Sequence, residues 1–219
     1  MKCKTTTVPR RTTHGGRLLL PLIALMSLTS GCSLMFRAAG FPPEAMRATP
    51  PVGIEARALP VGQVLPAAKL SDDLGLPVDL TATLAKGPTV VVFYRGAWCP
   101  YCRAQLEDFQ KHAGEYAKAG VQVAAVCGEP AEDSAGLRKR MSLGFPLWSD
   151  PALQWTKALG LHDPGNDVPW PALLVVDPAG KVTWRWVAET YKNRPTALEV
   201  LARATQGVSA VGLSTTGQP

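Results

Sequence analysis

The sequence predicts an α/β domain of three layers, in which helices flank a central mixed β-sheet. Three observations predict it. An apolar run at 89–94 is typical of a strand buried on both faces, and a helical pattern and a second apolar strand at 121–127 follow it. Strand, helix and strand form a right-handed crossover between parallel strands. Two later apolar runs, 172–176 and 182–187, enclose a tight turn and predict an antiparallel hairpin.

The first 31 residues have the features of a secretory signal peptide. They carry five of the 23 basic residues and no acidic residue, and an apolar run at 18–28 ends in the small residues Thr29, Ser30 and Gly31. This run is shorter than the roughly 20 residues that span a bilayer. Beyond residue 31 there remain 18 basic and 17 acidic residues, so the formal charge of +6 gives no electrostatic argument for a nucleic-acid partner.

The cysteine after this segment resembles the acylated cysteine of bacterial lipoproteins. Residues 28–32 are similar to a lipobox, although Thr29 stands where Leu is usual. We therefore expect Cys32 to be lipidated and to anchor a periplasmic protein to a membrane, with a soluble exported protein as the alternative. Residues 32–59 are rich in Pro, Gly, Ala and Arg without an apolar period, which predicts a tether ahead of the domain at 60–205.

The remaining elements follow from local patterns. Turn residues and scattered apolar positions at 74–84 predict a short hairpin before the first strand. Apolar residues at helical spacing predict helices at 103–119, at 134–141 and after Pro195. Small and polar residues at 206–219 predict a flexible tail.

A further short strand is predicted at 145–150. Asp150 and Pro151 follow it as a good N-cap and first-turn pair, and they predict the start of another helix.

Two cysteines separate the first strand from the helix that follows it. Cys99 and Cys102 form a redox pair, because a structural disulfide rarely closes so small a ring. Cys99 lies where the first helical amides point, so we expect its pKa to be below that of a free thiol. Cys102 lies one turn further along and can attack a mixed disulfide on Cys99. Cys127 ends a buried strand and is expected to be a core thiol.

The residues around this pair resemble the redoxin group of the thioredoxin superfamily. The resemblance rests on 93–106, which contains Trp-Cys-Pro-Tyr-Cys, together with 145–150 and 171–180, and it covers about residues 60–205. Within the group the sequence is most similar to the peroxiredoxin-like alkyl hydroperoxide reductase and thiol-specific antioxidant branch. The resemblance implies a thioredoxin fold, with Cys99 as the attacking and Cys102 as the resolving cysteine. No cofactor and no metal are expected.

The resemblance also implies residues that position the substrate. Pro171 is similar to the cis-proline that faces the disulfide in such folds, which makes Trp170–Pro171 the expected cis bond and Val168–Pro169 the competing assignment. Trp98 is expected in an apolar collar around the site.

Two arginines are candidates for stabilising a thiolate. Arg95 lies close to the pair in sequence, and its guanidinium would favour a thiolate at Cys99. Arg194 lies in a segment that is also similar to this branch, and for it both a surface position and a place at the site are compatible with the sequence.

One departure from the family concerns a hydroxyl group. Typical peroxiredoxins have Pro, three residues, Thr or Ser, two residues and Cys, and the places that match before Cys99 hold Val92 and Gly96. The missing hydroxyl weakens the case for an efficient peroxidase.

We therefore expect an exported thiol-dependent oxidoreductase in the cell envelope. A peroxiredoxin-like antioxidant and a disulfide reductase are the two enzymatic hypotheses, with a peroxide or a protein disulfide as substrate and an external thiol as reductant. A metal carrier, for copper, that uses the same cysteines is the alternative.

Overall fold

The computed structural model describes residues 50–211, and a mixed sheet lies at its centre. The strands of the described residues are β1 (Thr89–Phe93), β2 (Gln122–Cys127), β3 (Leu147–Ser149), β4 (His162–Asp163), β5 (Val168–Pro169), β6 (Ala172–Val176) and β7 (Val182–Val187), of which β4 and β5 form a separate two-stranded sheet. The central sheet has the order β3-β2-β1-β6-β7, in which β1 is parallel to β2 and antiparallel to β6. The predicted signal peptide at 1–31, Cys32, most of the tether and residues 212–219 lie outside the described residues.

Helices cover both faces of this sheet. They are α1 (Ile54–Arg57), α2 (Leu80–Leu84), α3 (Pro100–Lys111), α4 (Ala113–Lys118), α5 (Ala131–Met141), α6 (Gln154–Ala158) and α7 (Ala197–Val211). Val92 of β1 lies in an apolar cluster with Leu106 of α3 and Val200 of α7, whereas Val91 lies in a second cluster with Trp155 of α6. The predicted three-layer α/β architecture is therefore confirmed. None of these helices is long and apolar enough to cross a membrane.

Three predicted helices have different bounds, and the one predicted at 134–141 begins at Ala131. The helix predicted at 103–119 begins at Pro100, because Cys99 is its N-cap, and it divides into α3 and α4 where His112 (φ −101°, ψ 14°) leaves the helical conformation. The last helix continues to Val211, past the start of the predicted tail.

The hairpin predicted at 74–84 is wrong. Helix α2 occupies its second half, since the Asp79 carboxylate caps the helix by accepting a hydrogen bond from the Ala82 amide at 2.9 Å. The segment takes part in one isolated bridge, in which Pro77 pairs with Ser71 ahead of the segment.

Asp150 supports helix α6 from outside it. The predicted N-cap position belongs to Leu153 (φ 52°), so Pro151 lies outside the helix. The Asp150 carboxylate is 1% exposed, and it accepts hydrogen bonds from the Trp155 amide at 3.4 Å and from the Thr156 amide and hydroxyl at 2.8 Å each. The Asp150 side chain therefore caps the helix as predicted, although Asp150 lies three residues before the N-cap position.

The prediction of a cis bond before Pro171 is wrong, because no peptide bond within residues 50–211 is cis. The chain here is held extended from both sides. The Trp170 amide donates to the Leu161 carbonyl at 2.7 Å, and the Pro171 carbonyl accepts from the Ala188 amide at 3.0 Å. The trans isomer is the more stable one before proline by about 0.5–1 kcal/mol.

Replacing Asp150 with alanine is expected to lower the free energy of unfolding by about 2–3 kcal/mol, because three buried donors lose a charged acceptor. Urea unfolding measures this change. Glu107→Ala, at an exposed position of α3, is the matched control and should change the free energy by less than about 0.5 kcal/mol. Equal stabilities for the two variants would contradict the assignment of Asp150.

Candidate active site

Cys99 and Cys102 lie where β1 ends and α3 begins, at the carboxyl edge of the parallel strands. Cys99 has an extended backbone (φ −80°, ψ 115°), and Pro100 occupies the first turn of the helix. The Cys99 Sγ accepts a hydrogen bond from the Cys102 amide at 3.4 Å. The structure therefore has the geometry that the sequence predicted, with one sulfur at the helix N-terminus and the second one turn further along.

Both sulfurs are reduced and enclosed. Cys99 is 1% exposed and Cys102 is 0% exposed, and both are free thiols. Neither sulfur presents a surface to a large substrate in this conformation.

Arg194 contacts the second of these sulfurs. Its Nη2 atom lies 3.9 Å from the Cys102 Sγ, which also accepts a hydrogen bond from the Arg95 amide at 3.5 Å. The guanidinium is held in place by its Nε atom, which donates to Gln105 Oε1 at 3.1 Å, and by its Nη1 atom, which donates to the Asn193 carbonyl at 2.9 Å. Of the two positions compatible with the sequence, the structure has Arg194 at the site.

These contacts order the two thiols in the opposite sense to the prediction. Burial raises the pKa of Cys102, but the Cys99 thiol that donates to it, the Arg194 charge and the Arg95 amide outweigh burial and lower this pKa to about 6. The hydrogen bond with Cys102 and burial raise the pKa of Cys99 above that of a free thiol. The sequence predicted a lowered pKa for Cys99, whereas in the structure the nearest cation and a second amide face the Cys102 sulfur.

The Arg95 side chain is buried beside the pair, with 1% of its surface exposed. Its guanidinium carbon lies 5.0 Å from the Trp98 ring centre and 4.9 Å from the Tyr191 ring centre, so two aromatic faces enclose the cation. Its Nε and Nη2 atoms have no hydrogen-bond partner. Trp98 and Arg95, both predicted at the site, therefore pack against each other.

Glu129, which was not among the site residues predicted from the sequence, supports the loop before Cys99. Its Oε2 atom accepts a hydrogen bond from the Ala97 amide at 2.7 Å and lies 3.8 Å from the Cys127 Sγ. Burial raises the pKa of this carboxyl group. A signal was present, since Glu129 follows β2 at the same carboxyl edge as the cysteines, where open α/β sheets place functional groups.

Gly96 gives this loop the space that it needs. Its φ of +152° is a conformation that favours glycine, and a Cβ atom there would lie 2.5 Å from Trp98 Nε1 and 2.7 Å from Glu129 Oε1. The loop, the tryptophan and the carboxylate therefore fit together only around a residue without a side chain.

Pro171 lies at the same edge of the sheet as the end of β1. It is buried and immediately precedes Ala172, which pairs with Phe93. Pro171 therefore lies beside the end of the strand that leads to the cysteine pair, and its peptide bond is trans.

A cleft of about 460 Å³ opens beside Arg194. Residues of β7, of α7 and of the loop between them line it, among them Trp184, Trp186, Glu199 and Arg203. Since Arg194 lines this cleft and also contacts the Cys102 sulfur, it lies between the cleft and the buried pair.

Cys127 is completely buried, and burial raises its pKa to about 12, as suits a core thiol. Within the described part of the chain, no three His, Cys, Asp or Glu side chains lie close enough together to hold a metal ion.

Comparison with known proteins identifies the family. The family model described as AhpC/TSA family matches residues 61–185. The chain belongs to the AhpC/TSA family. The solved structure of AhpC from Enterococcus faecalis superposes with a TM-score of 0.64 at 17% identity, over 73% of this chain and 98% of that one. The domain therefore has the thioredoxin fold that the sequence predicted.

Curated members of the wider group are similar in sequence over part of their length. Alkyl hydroperoxide reductase C of Pseudomonas aeruginosa is 29% identical over 113 residues, 48% of this chain and 59% of that protein. Thiol-disulfide oxidoreductase ResA of Halalkalibacterium halodurans is 28% identical over 114 residues, 52% of this chain and 60% of that protein. The chain spans between 57% and 65% of the length of the curated relatives that it matches.

Replacing Gly96 with alanine is expected to displace Trp98 or Glu129, because the new Cβ atom cannot approach them this closely. The free energy of unfolding should fall by about 1–3 kcal/mol, and the thiolate absorbance at 240 nm should titrate at a different pH. Gly114→Ala is the control, since a Cβ atom there meets nothing within 4 Å. Wild-type stability and an unchanged titration for Gly96→Ala would contradict this role of the glycine.

Proposed function

We propose that this chain is a thiol peroxidase in which Cys102 carries the reactive thiolate and Cys99 resolves the oxidised product. The observation that carries the proposal is the Arg194 guanidinium 3.9 Å from the Cys102 Sγ, which agrees with the lowered pKa of that thiol. The roles of the two cysteines are thus the reverse of those that the family resemblance implied. Membership of the AhpC/TSA family and the relative named as an alkyl hydroperoxide reductase support peroxide chemistry.

The reaction proceeds in two steps on this pair. The Cys102 thiolate attacks the terminal oxygen of a hydroperoxide, the O–O bond breaks, and the alkoxide or hydroxide leaves with a proton as alcohol or water. The resulting Cys102 sulfenic acid is attacked by Cys99, which loses its proton, and water leaves as the disulfide forms. Both sulfurs are already on the first turn of α3, and Cys99 Sγ lies 3.4 Å from the Cys102 amide, so ring closure needs little movement of the backbone.

This assignment also accounts for the missing hydroxyl. In the family pattern, Pro lies seven residues and Thr or Ser three residues before the reactive Cys. Counted back from Cys102, Arg95 occupies the Pro position and Cys99 the hydroxyl position. The Cys99 thiol is a weak donor, and it donates a hydrogen bond to the Cys102 sulfur, as its raised pKa reflects. A thiol therefore occupies the place of the hydroxyl, and the same thiol later resolves the sulfenic acid.

Burial favours a peroxide over a protein disulfide as the substrate. The two sulfurs are 0% and 1% exposed, so a hydroperoxide needs a smaller opening of the site to reach them than the disulfide of another protein, which needs an exposed sulfur to attack. Disulfide reduction remains the second candidate, since one relative is named as a thiol-disulfide oxidoreductase. The metal-carrier hypothesis gains no support from residues 50–211, which contain no group of three potential ligands.

The expected place of action is the cell envelope. Its support is the sequence of residues 1–32, with a basic segment, an apolar run and a lipobox-like end at Cys32. We infer that lipidated Cys32 anchors the domain to a membrane and that an external thiol supplies its electrons.

The cysteine variants separate the roles of the two thiols. Cys102→Ser should reduce the rate of hydrogen peroxide consumption with a dithiol reductant to that of the reductant alone, at least about a hundredfold below wild type, because the nucleophile is lost. Cys99→Ser should react once with peroxide and leave a sulfenic acid that dimedone traps. Cys127→Ser, which removes a buried thiol of raised pKa, is the control and should keep the wild-type rate.

Two results would count against this function. Wild-type turnover no faster than the free dithiol excludes the peroxidase, and an insulin reduction assay then tests disulfide reduction. A sulfenic acid trapped on Cys99 in the Cys102→Ser variant, formed at the wild-type rate, restores the roles that the resemblance implied.

Membrane fractionation and mass spectrometry test the lipidation of Cys32. In a bacterial host with a lipoprotein pathway, the full chain should appear in the membrane fraction with a diacylglycerol-modified N-terminal Cys32 by mass spectrometry. Cys32→Ser should move it to the soluble fraction, and a wild-type protein without this modification would contradict the anchor.

A further inference from the structure

Two guanidinium groups flank the cysteine pair. Arg194 Nη2 lies 3.9 Å from the Cys102 Sγ, and the Arg95 side chain is buried beside the pair between Trp98 and Tyr191. None of the ion pairs formed within the described residues includes either arginine. A thiolate at Cys102 is therefore in direct contact with the Arg194 cation, and the Arg95 cation favours a thiolate at Cys99.

Arg95 is the more deeply buried of the two arginines, so a nearby negative charge stabilises it more. It is 1% exposed, its Nε and Nη2 atoms have no hydrogen-bond partner, and aromatic faces offset only part of the cost of burying a charge. A negative charge on the pair lowers this cost. The charge of Arg95 in turn favours the thiolate, as does that of Arg194.

Oxidation removes that negative charge. The dithiol with one thiolate loses two electrons and one proton when the disulfide forms, so the disulfide is neutral and faces two guanidinium groups. The electrostatic cost therefore falls on the oxidised state. A pair whose reduced form is stabilised in this way is readily reduced.

We propose that Arg95 and Arg194 make the Cys99–Cys102 disulfide so readily reduced that a low-molecular-weight monothiol can recycle it. This rests on the proposed function, in which the pair is the redox centre, and it names the class of electron donor. A monothiolate attacks the Cys99 sulfur, and Cys102 leaves as the thiolate. A second monothiol attacks the bound donor's sulfur and releases Cys99, which takes a proton. The net reaction converts two monothiols and the protein disulfide into a donor disulfide, the dithiol monoanion and one proton.

The equilibrium with glutathione tests this proposal without any peroxide. The full-length protein is equilibrated with reduced and oxidised glutathione at pH 7.5, trapped with acid and an alkylating reagent, and the peptide that contains Cys99 and Cys102 is quantified by mass spectrometry. Arg95→Met and Arg194→Met should each lower the equilibrium constant for reduction at least about tenfold, since a neighbouring opposite charge shifts a thiol by about 1–3 pKa units. Arg103→Met is the matched control, because Arg103 is exposed on the same helix, and it should stay within about twofold of wild type.

A second measurement needs no variant and covers the case in which Arg95→Met does not fold. Between pH 7 and 8 the wild-type equilibrium constant should rise about tenfold per pH unit, because each reduction releases one proton. Arg95→Lys keeps the charge and should stay nearer to wild type than Arg194→Met. A change below threefold in either folded methionine variant, or an equilibrium constant that does not depend on pH, overturns the proposal. A protein without peroxidase activity that still shows these shifts would refute the proposed function and leave the redox inference standing.

Discussion

The proposed chemistry depends on the contact between the Arg194 guanidinium and the Cys102 sulfur, which joins two distant parts of the chain at one buried atom. The two residues are 92 positions apart and lie 3.9 Å from each other. Arg194 is held in the loop before α7, and Cys102 is held in the first turn of α3. Since a thiolate in an enclosed site needs a neighbouring cation, the packing of these two elements determines which of the two thiols gives up its proton.

The rest of the site supports this arrangement through the sheet. The run of β1 is buried throughout, and it fixes the position from which the loop to Cys99 departs. Glu129, just beyond β2, accepts the Ala97 amide of that loop at 2.7 Å, so the first two parallel strands together hold the pair. The hydrogen bond from the Arg95 amide to Cys102 then completes the set of donors around the thiolate.

Local pattern predicted those features that depend on neighbouring residues. Continuous apolar runs gave the positions of β1, β2 and the β6–β7 hairpin, because strands buried on both faces need such runs. The N-cap position of Cys99 followed from the residues on either side of it. The contact of Arg194 with Cys102 could not be predicted in this way, because the sequence was compatible with both a surface position and a place at the site for Arg194. The hydrogen bonds of Trp170 and Pro171 to Leu161 and Ala188 likewise join segments that local pattern does not bring together.

The site-specific titration of the two thiols in the reduced wild-type protein tests the central claim most directly. Cysteine labelled with carbon-13 at Cβ reports each protonation separately by nuclear magnetic resonance, and assignment variants identify the two signals. The account predicts that Cys102 titrates near pH 6 while Cys99 stays protonated above the range of a free thiol. A Cys99 signal that titrates first, with Cys102 still protonated at neutral pH, would contradict it.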